Sequence, residues 1–459
     1  MMKKIIISAL LITLTMPAMS EHNKDAWREM QTVANRISAP VFANRVFTVT
    51  DYYNGKDSLY TDAINKAIAD CSVKGGGMVV IPNGEYKTGP IRMRSNVNLH
   101  LSDNTILKFT TNPELFPTVI TRIEGIDCNN ISPLIYAYGE ENIAVTGKGV
   151  LDGQADATNW LSELRLRTIK IYDDTKFGEK YVLNKMKEDS IPYQMRVFRG
   201  KSGMRPQFIN LYKCKNILLE DFTLNRSPFW LIHPLMSENI TVRRVKMESH
   251  GSNNDGCDPE SCKDVLIEDC DFDTGDDCIA IKSGKDEDGR IWNIPSENII
   301  VRKCRMKDGH AGVAIGSEIT GGCQNVWVED CYMDSPHLSR IIRIKSNPMR
   351  GGEVKNIYAR NITVGECDES MLGIELKYWH TNSGDYYPYF HNIHLENITS
   401  KKSKYVLNID GYADNPCAKD IYVENCKFDG VTENSVNKIV GAENIVFKNV
   451  MVNGKKYKY

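Results

Sequence analysis

The sequence predicts an all-β fold, a single right-handed parallel β-helix, and three observations carry that reading. One short phrase recurs along the chain: an Asn or Asp, then Ile or Val, then alternating apolar residues. It stands at Asn216 (KNILLED), Asn239, Asp264, Asn298, Asn325, Asn356, Asn392, Asp420 and Asn444, with earlier copies at Asn96 and Asn142. From Asn216 onward the separations run from 23 to 36 residues, and a minimum near one coil with variable insertions marks a solenoid. Each unit holds strands of about three to five residues between Asn, Asp or Gly turns, too few apolar groups for a core of its own. Stacking unit on unit buries the Ile/Val faces continuously, and the repeated Asn can form a side-chain ladder along one turn. Leucine-rich repeats would need a fixed Leu framework, and propeller blades run to about 40–50 residues.

The first twenty residues stand apart. Lys3 and Lys4 precede an apolar run from Ile5 to Met16, and Ala18-Met19-Ser20 offers small residues for cleavage. This reads as a secretory signal peptide, too short to span a bilayer. Residues 21–459 are then expected to form one exported catalytic domain, periplasmic or extracellular. A stacked solenoid has raw sheet edges that invite association unless covered. Tyr60, Ile64, Ala67, Ile68 and Cys71 fall at helical spacing within SLYTDAINKAIADC. Asp57-Ser58 offers a start and Gly75-Gly76-Gly77 a stop, so a capping helix is expected there. From about residue 154 to 204 the rhythm breaks into a Lys-, Arg- and aromatic-rich excursion, the kind of long loop that usually has a functional reason.

Lys and Arg number 57 and Asp and Glu 59, a formal charge of −2. No global field draws the chain to nucleic acid, and no later segment has transmembrane length, so neither nucleic acid nor membrane insertion is expected. Thirteen cysteines in an exported chain suggest disulfides, but the number is odd and most lie beside Val/Ile-rich strands at similar phases. They are expected to be small buried core residues. Oligomeric state is not readable.

The segments GSNNDGCDPE and DTGDDCIAIKSG place Asp276 and Asp277 21 and 22 residues after Asp255, close to one coil. Neighbouring strands lie about 4.8 Å apart, so three carboxylates should gather on one spot of the wall. Like charges that close cannot all ionise cheaply, and at least one must hold a proton near neutrality. One protonated and one ionised carboxyl is what glycoside hydrolysis needs; a solvated turn or a calcium site is the alternative. DGHAGVAIGSE adds His310, and RIIRIKSN adds Arg343 and Lys345 on one face of a strand, a local positive pair suited to a carboxylate.

The ordered set NNDGCD, GDDCIAIKSG, GHAG, GSE and RIK resembles family-28 glycoside hydrolases, the polygalacturonases and their relatives, from about Val46 to the C-terminus. The resemblance implies a pectin-lyase-like solenoid, a pectic polysaccharide or oligogalacturonide substrate, hydrolysis with inversion, and no metal or other cofactor. Asp276 matches the general acid, and Asp255 and Asp277 the pair that activates water. His310 matches the histidine beside the acid; Arg343 and Lys345 match the residues that hold the uronate carboxylate. Asn253 and Tyr378 match substrate contacts. Two departures stand out: Asn254 replaces the usual Thr, and Ala311 replaces a Gly, a methyl expected to narrow the site. GSEITGG at 316–322 resembles the exo-acting branch, which agrees with an excursion that walls off one end of a groove. Rhamnogalacturonan hydrolysis, a calcium-dependent pectate lyase and a non-catalytic polysaccharide-binding β-helix are the competing readings.

Overall fold

The computed structural model describes residues 21–162, 169–170, 176–177, 179–380 and 383–459, and among these the repeated phrase is one strand of a three-faced parallel coil. The first face is a thirteen-stranded sheet running from Val46–Thr48 to Ala442–Lys448. A second thirteen-stranded sheet runs beside it from Gly84–Thr88 to the C-terminal strands. The third face is split into sheets of four and six strands. Only isolated bridges through Cys257 and Glu260 join the two parts, between Ile232–Leu235 and Ile279–Ile281. Parallel crossovers of this kind are right-handed for steric reasons. The predicted right-handed parallel β-helix is therefore the fold.

The recurring Asn has two physical functions. At Asn142, Asn216, Asn239, Asn298, Asn325, Asn356 and Asn392 the backbone is left-handed, with φ between 54° and 60°, a region that Asn tolerates better than other chiral residues. The side chains then ladder from coil to coil. Asn325 Nδ2 donates to Asn298 Oδ1 (3.1 Å), Asn356 Nδ2 to Asn325 Oδ1 (2.9 Å) and Asn392 Nδ2 to Asn356 Oδ1 (2.7 Å). A second left-handed turn closes the same strand, and Asp330, Asn361 and Asn397 ladder there. Between the turns, Ile and Val point inward to one continuous core that extends from Val49 to Val452. All thirteen cysteines are buried free thiols, as expected for small core residues.

The capping helix (α2, Thr61–Val73) buries Ile64, Ala67, Ile68 and Cys71 over the first coil. It starts later than Asp57-Ser58 would place it, because Asp57 is held in a turn by Asn54 (2.6 Å) and Tyr60 stacks on Tyr53. A preceding helix (α1, Glu21–Arg36) was not foreseen. Its Ala26, Trp27, Met30 and Val33 lie on the outer surface of the first sheet, against Leu266, Ile300, Trp327 and Tyr358 from consecutive coils. The outward position of those coils is apolar in sequence, which is the signal for this partner. The signal-peptide expectation for residues 1–20 lies outside the described residues.

Asn325→Ala should lower unfolding stability by about 2–4 kcal/mol, combining two lost ladder bonds with a strained left-handed turn. Asn325→Gly, which tolerates the turn, should cost about 1 kcal/mol less. Denaturant midpoints with unchanged slope check the pair; equal losses would show that the ladder alone carries the effect.

Candidate active site

Parallel register decides which residues of the third face meet. Cys257 pairs with Ile279 and Ile279 with Val313, which sets Asp255 beside Asp277 and Asp276 beside His310. Backbone bonds hold both alignments: Gly256 N–H donates to Asp277 O (3.0 Å) and His310 N–H to Asp276 O (3.0 Å). One carboxylate oxygen from each of Asp255, Asp276 and Asp277 comes within 4.8 Å of the others. All three line a cavity of about 460 Å³.

Three acids at this spacing need buried cations, and two lysines supply them. Lys345 Nζ donates to Asp277 Oδ2 at 2.7 Å. Lys282 is buried with its Nζ 3.3 Å from Glu318, 3.6 Å from Asp258 and 3.8 Å from Asp255, and 4.5 Å from the centroid of the Trp230 ring. Burial opposes the Lys282 charge, but Glu318, Asp258 and Asp255 outweigh it and raise its pKa. Burial, then the Asp258 and Asp276 carboxylates, push Asp255 well above the usual carboxylate range, and burial does the same to Asp258. The proton that like charges force onto the cluster therefore rests on the Asp255–Asp258 pair.

Asp276 is in the opposite state. Burial would raise its carboxyl, but the hydrogen bond and charge of His310, with Lys345 and Lys282, bring it down to about 2. His310 Nδ1 lies 3.1 Å from Asp276 Oδ1. That hydrogen bond outweighs burial and raises His310, although the imidazole is 57% exposed. Gly309 makes the approach possible: its φ is 151°, and a Cβ there would stand 2.8 Å from both Asp276 O and Cys278 Sγ. The neighbouring Ala311 does not narrow the cavity as expected. Its methyl is buried against Ala280 and Ala314, beneath the site.

Asn253 lines the cavity from a left-handed turn (φ 59°), with its Oδ1 accepting from Arg205 Nη2. Asn254, the residue that replaces Thr, is buried and structural. Its Nδ2 donates to Ser227 O (3.1 Å) and Phe229 O (3.2 Å), and its Oδ1 accepts from Ser249 (2.7 Å). Tyr378 lines the cavity over Lys345, with the ammonium 5.5 Å from its ring centroid. Arg343 is placed differently from Lys345: its guanidinium is bound to Glu375 (2.8 Å), and it is not among the cavity-lining residues.

The excursion reaches the site. Its helix (α3, Glu179–Glu188) packs Val182, Leu183 and Met186 against Ile123, Phe229 and Trp230, and lines the cavity with Asn184, Lys187 and Glu188. Lys187 pairs with Asp286 at the start of a short helix (α4, Asp286–Trp292), and Lys285 Nζ donates to Asn184 Oδ1 at 2.9 Å. Behind this wall, buried Arg122 bonds Asp127 (2.8 Å) and Glu260 (3.1 Å). Trp379 stands on the rim, 77% exposed in a left-handed conformation (φ 63°). The motifs did not single out Lys282, Glu318 or Trp379. The first two lie within GDDCIAIKSG and GSE, where an ionisable residue at a buried strand end was the available signal.

A family model described as glycosyl hydrolases family 28 matches residues 196–453. The chain is 25% identical over 448 residues to an exo-poly-alpha-D-galacturonosidase from Dickeya chrysanthemi, covering 90% of this chain and 73% of that protein. It is 26% identical over 382 residues to a probable polygalacturonase from Vitis vinifera, covering 78% and 69%. The solved structure of a hyperthermoactive exopolygalacturonase from Thermotoga maritima superposes with a TM-score of 0.86 at 34% identity, covering 94% of this chain and 97% of that one.

The His310–Asp276 contact has a measurable sign. Because the folded pKa of His310 is raised and that of Asp276 lowered, the pair's stabilisation is complete between about pH 4 and pH 6.5. It is lost as pH rises through the folded value of His310, and is lost as pH falls through that of Asp276, about 2. In an NMR titration the His310 midpoint should lie above 6.5, and Asp276→Asn should move it down, since the hydrogen bond and charge that raise it most are then lost. A midpoint that the variant leaves in place would show that the pair does not form in solution.

Proposed function

This chain belongs to glycosyl hydrolases family 28, and from that membership we propose that it is an exported polygalacturonase that hydrolyses galacturonate linkages of pectin. The observation that carries the proposal is the meeting of Asp255, Asp276 and Asp277 on the floor of a cavity lined by lysines and an arginine. No helix among the described residues is long and apolar enough to cross a membrane. Residues 21–459 act as one catalytic unit in this reading, in keeping with their continuous core.

Asp276 is the general acid. The free-state proton of the His310–Asp276 pair lies on the imidazole, and one transfer along the 3.1 Å contact places it on the carboxyl as negative charge develops on the leaving oxygen. Asp255 and Asp277 activate the water. Asp255 Oδ1 and Asp277 Oδ1 have no hydrogen-bond partner among the described residues, while Lys345 and Lys282 keep the carboxylates oriented. Lys345 is the direct partner of the uronate carboxylate, with Tyr378 beside it and Asn253 across the cavity. Arg343, tied to Glu375, positions that wall. Inversion follows from assigning one acid and a separate water-holding pair. The carboxylate oxygens lie closer than the roughly 6.5–9.5 Å usual between inverting carboxyls, so the anomer formed first, read by NMR, is a direct check. Reaction without metal is favoured over a calcium-dependent lyase because the two lysines already neutralise the acids that a divalent ion would need. Chelator should leave turnover unchanged, and the products should be saturated reducing sugars.

The α3 wall supports exo-action, in which a chain end enters the cavity instead of a strand passing through. Short digestion of polygalacturonate should release monomeric galacturonate, or a short terminal unit, from the non-reducing end with slow loss of viscosity. A rapid viscosity drop at low reducing-end release would mean internal cutting. A preference for the rhamnose-containing backbone over polygalacturonate would reassign the substrate within the family.

Asp276→Asn should lower turnover by about 10²–10⁴-fold or more while the protein stays folded, since it removes the proton donor and keeps the volume. Turnover should fall on the alkaline side as His310 loses its proton. His310→Ala should move that limb to lower pH, because Asp276 must then hold the proton unaided.

A further inference from the structure

Beyond the strand Arg340–Lys345 the chain turns back over the cavity through Asn347–Arg350. Asn347 Oδ1 accepts the backbone N–H groups of Met349 (3.1 Å) and Arg350 (3.2 Å). The turn sends the Arg350 side chain toward Tyr378, with its guanidinium carbon 5.5 Å from the ring centroid. Arg350 lines the cavity, yet its side chain is only 7% exposed. The carboxylate it faces is Glu318, whose Oε1 lies 3.9 Å from Nη2, beyond hydrogen-bond reach. Glu318 is already paired with Lys282. Among the described residues Arg350 Nη1 has no hydrogen-bond partner.

The other cations that line the cavity already hold protein partners. Lys345 shares its ammonium between Asp277 and the uronate carboxylate assigned to it, and can offer that carboxylate only a point contact. Lys345 is bound to Asp277, Lys187 to Asp286, and Lys282 lies among three carboxylates. Lys285 has a neutral amide partner, Asn184. Burial and then the charge of Arg350 lower its pKa, so Arg350 and Lys285 act on each other as like charges. A buried, underbonded guanidinium beside a second cation in a sugar-sized cavity is a site for an anion with a planar, two-oxygen face.

We infer that Arg350, assisted by Lys285, reads the carboxylate of the galacturonate unit held in the cavity and thereby sets the preference for free over esterified uronate. The inference rests on the polygalacturonase reading and adds a specificity residue outside the motifs that define it. The guanidinium fork would take both carboxylate oxygens, an arrangement that an ammonium cannot reproduce. Tyr378 would hold the fork in plane.

Kinetics of wild type, Arg350→Ala and Arg350→Lys on oligogalacturonate and on its methyl ester test this, with galacturonate and galactose as competing inhibitors. Arg350→Ala should raise KM for the free acid by about 10- to 100-fold, with kcat within a few-fold. The preference for galacturonate over galactose as inhibitor should collapse, and Arg350→Lys should recover only part of it. If Arg350→Ala does not fold, Arg350→Gln makes the same comparison with the side-chain length kept. A variant that keeps the wild-type ratio of free-acid to ester kcat/KM overturns the Arg350 assignment alone. A wild-type protein inactive on every uronate oligomer removes the polygalacturonase reading and this inference together.

Discussion

The lateral register of one coil on the next is the constraint on which the site depends. It is held by left-handed turns whose Asn side chains bond along the stack, Asn298 to Asn325 to Asn356 to Asn392. A slip of one residue would turn every inward Ile and Val outward, so the ladder and the core enforce the same alignment. That alignment sets Asp255 beside Asp277 and Asp276 beside His310. The distances among these acids are thus a by-product of the strand spacing, and the variable lengths between phrases are spent in loops that leave the register untouched.

The third face is interrupted where the acids stand. Between Ile232–Leu235 and Ile279–Ile281 the segment carrying Asp255 and Asp258 keeps only isolated bridges. Carboxylates crowded on a regular wall would repel without relief. Here the repulsion is met from below by Lys282, from the side by Lys345, and by a proton on the Asp255–Asp258 pair. Removing one partner of such a network leaves a buried charge uncompensated, which costs more than the pair contributes. The same compensation separates the acids into two states, Asp276 ionised beside His310 and one proton shared by the Asp255–Asp258 pair. Neighbouring carboxyls thereby acquire different chemical roles.

The repeat, the buried cysteines and the positions of the motif residues were legible because each follows from a local rule: left-handed turns choose Asn, and strands alternate. Helix α1 was not read, because its binding surface exists only when Leu266, Ile300, Trp327 and Tyr358 from four coils lie side by side. The effect of Ala311 was misjudged for a related reason. Adjacency to His310 in sequence says nothing of what a methyl packs against, and here it is buried on Ala280 and Ala314 and does not line the cavity.

By itself the sequence determined the stacked architecture, the gathering of Asp255, Asp276 and Asp277, and the presence of His310, Arg343 and Lys345 near them, because strand period and coil length are one-dimensional quantities. Only the tertiary structure decided how those groups are shared. Lys345 turns to Asp277 and Arg343 to Glu375, while Lys282, Glu318 and Arg350 enter the site unannounced. Side chains from coils far apart in sequence compete for the same few carboxylates in one cavity, and burial and distance, which no linear spacing encodes, settle which pairs form.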